Sequence, residues 1–205
     1  MKIHLCCGDV YLVGYENCDV VGRVLSPVSK PNPTAFAPQV PDEDSTEDNP
    51  NETTLEHYFK FPFEQNVENR FRREFILDRK MDLLGDWPWM ANEVDEIVMV
   101  NAFEHFTKDQ VSHILTEALW VLKKGGIFKF DFPDLKRIVE IYHETDPEFM
   151  MNLIYCNHKN KYSVHEWGYT IKSIRNYLSP EDWQLVFKDV VQHDYPSTGV
   201  WAYKK

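Results

Sequence analysis

Apolar and polar positions alternate along residues 2–7 and stop at Gly8, the pattern of a short buried strand entering a turn. Residues 9–15 are too few for an ordinary crossover helix, so a single turn is expected before a second strand over residues 17–21. A third strand is read from Phe75-Ile76-Leu77 toward Met81-Asp82-Leu83, with a turn and loop at Gly85-Asp86-Trp87-Pro88-Trp89. Residues 96–101 form a near-continuous apolar run, which favours a parallel strand covered on both faces. From Thr107 to Leu122 the apolar residues fall at 111, 114, 115, 118, 119 and 122, the spacing of one helix face. Gly125-Gly126 reads as the end of that helix and residues 127–132 as the next strand. Further helices are expected from Pro133-Asp134 to about His143, over 148–156, and from Thr170 to Leu178, with a loop at 157–166. Residues 183–193 and 198–204 alternate well enough to close the chain as an antiparallel hairpin linked through Tyr195-Pro196-Ser197. Strands alternating with helices and then a terminal hairpin predict an α/β three-layer fold.

Composition adds one feature to this pattern. Six of the twelve prolines lie between Pro27 and Pro50. Six acids (Asp42, Glu43, Asp44, Glu47, Asp48, Glu52) follow, with no Lys or Arg between Lys30 and Lys60. Such a stretch buries too little apolar surface to order itself, so 205 residues are read as one domain with a solvated insertion at about 26–53, or a lid over a substrate. The same acids carry more than half of the net charge of −11, and the acidic balance argues against nucleic-acid binding through phosphates. The basic cluster Arg70, Arg72, Arg73, Arg79 and Lys80 is read as solvated helix and strand edges, with contact to a phosphate or an acidic substrate as the alternative. No run of 18 apolar residues spans a membrane, and the first residues read directly as a strand without a signal-peptide core, so a cytoplasmic location is expected.

Cys6, Cys7, Cys18 and Cys156 include no Cys-x-x-Cys pair and read as small buried hydrophobes of a reducing compartment. Together with Cys156, His143 and His158 lack ligand spacing, and no metal is expected. No Gly-x-Gly-x-x-Gly follows the first strand, which sets a nicotinamide dehydrogenase aside.

Four segments, in order, resemble the class I S-adenosylmethionine-dependent methyltransferases, and most closely their small, minimal predicted members. They are Leu5-Cys6-Cys7-Gly8 after strand one; Asn17-Cys18-Asp19 closing strand two; Met81-Asp82-Leu83 at strand three before Trp87-Pro88-Trp89; and Val94-Asp95-Glu96-Ile97 leading to Phe103-Glu104-His105-Phe106 and then Leu119 to Gly126. The segment His165-Glu166-Trp167-Gly168-Tyr169-Thr170 is similar to one that recurs in these minimal members. The resemblance implies a Rossmann-like sandwich, with ligands at the carboxyl ends of the strands near the switch in strand order. It implies S-adenosylmethionine as cofactor, held by Cys6, Cys7 and Gly8, by Asp19 at the ribose, by Asp82 and the Leu83 amide at the adenine, and by Asn101 near the methyl group. Glu104, His105 and His165 are the candidate catalytic residues, as general bases toward an acceptor. The strand ending Asn101-Ala102-Phe103-Glu104 lacks the Asp/Asn-Pro-Pro-Tyr/Phe pattern of base-amino methylation, so a small-molecule or sugar-like acceptor is expected. Two departures stand out: Cys6 where the family usually has glycine, and His4 where an acid is common. A module that kept the fold and lost turnover is the competing reading.

Overall fold

The computed structural model describes residues 1–8, 10–12, 14–24, 52–53, 76–141, 146–158, 161–192 and 195–205. The insertion at 26–53 lies outside these residues apart from its last two. The basic residues Arg70, Arg72 and Arg73, the start of the third strand at Phe75, and His143 also lie outside them.

The strands are β1 (Lys2–Leu5), β2 (Tyr11–Leu12), β3 (Glu16–Asp19), β4 (Arg23–Val24), β5 (Glu52–Thr53), β6 (Ile76–Leu77), β7 (Arg79–Lys80), β8 (Val94–Met99), β9 (Leu122–Pro133), β10 (Trp183–Gln192) and β11 (Tyr195–Lys204). The helices are a 3-10 turn (Phe103–His105), α1 (Lys108–Val121), α2 (Leu135–Glu140), α3 (Pro147–Tyr155) and α4 (Ile171–Ile174). Seven strands make one sheet in the order β10-β11-β9-β8-β1-β3-β7. The pairs β7–β3, β3–β1, β1–β8 and β8–β9 are parallel, and β11 runs antiparallel to both β9 and β10. The expected mostly parallel sheet with a terminal antiparallel hairpin is therefore present. Strand order reverses between β1, which leads outward to β3, and β8, which leads the other way to β9, so the switch point lies at the carboxyl ends of β1 and β8.

Helix α1 forms where the spacing places it. Thr107 caps it, accepting the Gln110 amide while the Gln110 side chain accepts the Thr107 amide. Val111, Ile114, Leu115, Ala118 and Val121 are buried in one cluster with Ile97, Met99 and Phe128 of the sheet. Val98 of β8 and Val100, just past its end, face the other way and pack with Val10 and Leu12. Both faces of β8 are thus covered, which is why its sequence is a continuous apolar run. No helix among the described residues is long and apolar enough to cross a membrane.

Several expected boundaries shift. Between β1 and β3 the chain makes two turns (Val10 amide to Cys7 carbonyl, 2.9 Å; Tyr15 amide to Leu12 carbonyl, 3.3 Å) around β2, which pairs with β5. The expected third strand ends at Lys80, so Met81-Asp82-Leu83 lies beyond it in a turn. It is split at Asp78, whose carboxylate accepts from the Asn17 amide and the Tyr11 hydroxyl, both at 2.9 Å. Helix α1 ends at Val121, and β9 runs through Gly125-Gly126, because Leu122 already pairs with Val94 across a register shift. A Cβ on Gly126 would stand 2.8 Å from the Lys123 carbonyl oxygen, so that irregularity requires glycine. Helices α2 and α4 are shorter than expected, and Tyr195-Pro196-Ser197 pairs with residues 190–192 as part of β11 instead of linking the hairpin.

Candidate functional site at the carboxyl ends of the central strands

The first motif turns sharply after β1. Cys6 and Gly8 both take left-handed conformations, φ +51° and +54°. That conformation costs any side chain roughly 1–2 kcal/mol, which is the physical sense of a glycine in place of Cys6. A Cβ on Gly8 would meet nothing within 4 Å, so open space lies over that backbone. Asp19, ending β3 in the parallel register beside β1, accepts the Gly8 amide at 2.9 Å and the Val21 amide at 3.0 Å. Its carboxylate therefore shapes the turn and keeps acceptor capacity for a ligand hydroxyl. Cys7 is buried, its amide donating to the Cys18 carbonyl at 3.1 Å.

Asp82 is exposed and accepts the Leu84 amide at 3.0 Å, capping its own turn. Leu83 is buried in the core, and its carbonyl accepts the Trp87 indole N–H at 3.1 Å. Burial raises the Cys6 thiol well above its ordinary value, with smaller contributions from the nearby charges of Asp19, Glu104 and Asp82. These charged groups lie on β3, in the turn after β7 and in the 3-10 turn.

On the β8 side, Asn101 has φ +49°, and its amide donates to Asp131 Oδ1 at 2.7 Å. Asp131, on β9, is fully buried, and burial pushes its carboxyl up to about 8. Sequence reasoning passed over it. The available signal was an acid inside the aromatic alternation Phe128-Lys129-Phe130-Asp131-Phe132.

Next to it, Ala102 leads into the 3-10 turn, where Phe103 stacks on Phe130 with centroids 4.3 Å apart and fixes the following residues. Glu104 is buried, and burial pushes its carboxyl up to about 8. The Glu166 and Trp167 amides donate to the Glu104 carbonyl at 2.8 and 3.2 Å. This straps the segment around His165 onto the 3-10 turn. The His105 and His165 rings meet edge to face at 4.9 Å, and His165 Nε2 lies 3.8 Å from Glu104 Oε1. Burial lowers both imidazoles, His165 to about 4 with a further contribution from His105. Burial thus disfavours the charged form of all three facing groups. The three expected catalytic residues come together although 60 residues separate His105 from His165.

Strand order and switch-point geometry define the class I S-adenosylmethionine-dependent methyltransferase fold. The structure is similar to that of an S-adenosylmethionine-dependent methyltransferase from Methanosarcina mazei, at 12% identity over 99% of this chain and 91% of that one, TM-score 0.53. It is also similar to the PH0226 protein of Pyrococcus horikoshii OT3, at 12% identity over 100% and 81% of the two chains, TM-score 0.51. Comparison of the sequence with family models and with characterised proteins gives no match.

Proposed function

We propose that this chain transfers a methyl group from S-adenosylmethionine to a small-molecule or sugar-like acceptor. The observation that carries the reading is the Cys6–Gly8 turn at the switch point, held by the Asp19 carboxylate with open space over Gly8. Such a turn lets a cofactor approach the backbone directly, and a carboxylate beside it suits a ribose diol. S-adenosylmethionine supplies a sulfonium methyl already activated for displacement. The chain's part is to position the partners and take a proton. Asp19 anchors the ribose, while Asp82 and the Leu83 amide meet the adenine. Cys6 and Cys7 line the methionine end, and Asn101 stands near the methyl group. Glu104, His105 and His165 hold the acceptor, and an imidazole Nε2 takes its proton. Calorimetric titration with S-adenosylmethionine and its demethylated product, followed by turnover with a panel of hydroxyl and amine acceptors, tests this. His165→Ala should remove turnover and leave cofactor affinity unchanged. Wild type that binds neither form of the cofactor refutes the reading. That result would favour the inactive-module alternative, which the side chain at left-handed Cys6 supports.

A further inference from the structure

Glu104, His105 and His165 each present one ligand atom, and the three atoms lie within 4.8 Å of one another. Hydrogen bonding around them is arranged in a particular way. His105 Nδ1 donates to the Val164 carbonyl at 2.8 Å, and His165 Nδ1 donates to the Leu153 carbonyl at 3.0 Å. Both imidazoles are thereby fixed in the tautomer whose lone pair is on Nε2, the arrangement second-shell carbonyls impose on metal-ligating histidines. Glu104 is 3% exposed, and its Oε2 has no hydrogen-bond partner among the described residues. A buried carboxylate oxygen without a partner is costly unless something else supplies one.

We infer that Glu104, His105 and His165 form a binding site for one divalent transition-metal ion of the zinc type. Two neutral imidazoles and a carboxylate are a ligand set such ions accept, with one or more positions left open. With metal–ligand bonds of about 2.0–2.2 Å, tetrahedral ligand atoms stand about 3.3 Å apart. The separations here are 3.8 Å for Glu104 to His165 and at most 4.8 Å for the set, so side-chain rotations that close the gaps by about 0.5–1.5 Å complete the site. The absence of a metal expected from local spacing is reversed because two ligands are adjacent in a 3-10 turn and the third arrives from a distant strap. Where the proposed methyl transfer holds, the ion's open position would take an acceptor oxygen and favour loss of its proton to solvent, the part otherwise assigned to a free imidazole Nε2. That role rests on the proposed reaction; the binding of the ion does not.

The test uses untagged full-length protein stripped with chelator and titrated with Zn²⁺ by calorimetry, with Co²⁺ as a spectroscopic probe. The expected result is about one ion per chain, a raised melting temperature with Zn²⁺, and a visible Co²⁺ spectrum without a thiolate charge-transfer band. His165→Ala and Glu104→Gln should each weaken Zn²⁺ by about 100-fold or more, since even outer-shell losses reach 10- to 100-fold. His113→Ala, at a half-buried position on α1 outside the ligand set, should leave affinity unchanged. Should His165→Ala fail to fold, His165→Gln keeps the side-chain bulk and serves in its place. Failure of wild type to bind, affinity unaltered in these variants, or a thiolate band that moves the ion to the cysteines would each overturn the proposal. Tight Zn²⁺ binding without methyl transfer would leave the site standing and refute the reaction alone.

Discussion

His4 offers a direct test of the central sheet's electrostatics. It lies in β1 between Asn17 of β3 and Val98 of β8 and is fully buried. Its Nδ1 donates to Asn17 Oδ1 at 3.0 Å. Asn17 is itself saturated, accepting the Leu12 amide and donating to the Leu12 and Tyr15 carbonyls and to Asp78. Burial lowers the imidazole from 6.5 to about 4, outweighing the bond to Asn17. A depressed histidine makes its full contribution to stability above the unfolded-state value. That contribution is lost as pH falls through the folded-state value, because the unfolded chain takes up the proton first. Across that window the slope is about 1.4 kcal/mol per pH unit, so His4 should cost about 3 kcal/mol between pH 7.5 and pH 4. His165 and His105 act in the same direction, whereas Glu104 and Asp131, raised by burial, act in the opposite one. Only a difference between proteins isolates His4. His4→Asn keeps an amide nitrogen near the Nδ1 position and does not titrate. Urea unfolding of both proteins in chelator-treated buffers at pH 7.5, 5.5 and 4 should show the wild type losing about 3 kcal/mol relative to the variant. A wild type–variant difference that stays constant with pH would refute the reasoning.

Asp19→Ala should weaken S-adenosylmethionine by about 10- to 150-fold in calorimetry, the value of a charge-assisted hydrogen bond. Because Asp19 also holds the Gly8 and Val21 amides, the same variant should lose about 2 kcal/mol of stability in urea, and an unchanged midpoint would count against that turn role. At Cys6, φ +51° predicts that Cys6→Val costs about 2 kcal/mol while Cys6→Gly stays within about 1 kcal/mol, and equal denaturation midpoints would contradict it. Buried Asp134 caps α2 through the Lys136 amide and accepts the Thr198 hydroxyl, both at 3.0 Å, so Asp134→Ala should cost about 3 kcal/mol by thermal or urea unfolding.

Where local pattern and tertiary pairing agree, the chain could be read directly. Helix α1 was legible from its spacing and Thr107, and β8 from its apolar run, because each buries what its sequence displays. The errors fall where pairing overrides local signals. Gly125-Gly126 looks like a helix stop, yet the sheet claims Leu122 onward, and Tyr195-Pro196-Ser197 looks like a turn, yet it lies in β11. At the site, Glu104 and His105 share a motif and could be picked out, whereas their meeting with His165 depends on amide bonds from residues 166 and 167 to the Glu104 carbonyl. Asp131 was hidden because the alternation places it opposite Phe128, Phe130 and Phe132 without showing that its own face is covered as well.

The pairing of β1 with β8 has a consequence for how the chain folds and tolerates change. Lys2 pairs with Glu96, a partner 94 residues later, so the centre of the sheet cannot close until most of the first half of the chain has been made. Closing such a loop costs about 4 kcal/mol of chain entropy beyond a constant, and this contact order places the β1–β8 junction late in folding. The same logarithm makes the cost nearly indifferent to length. Halving or doubling the intervening chain changes it by only about 0.6 kcal/mol, less than one buried methylene contributes. Loop closure by itself therefore sets little limit on how much chain separates β1 from β8.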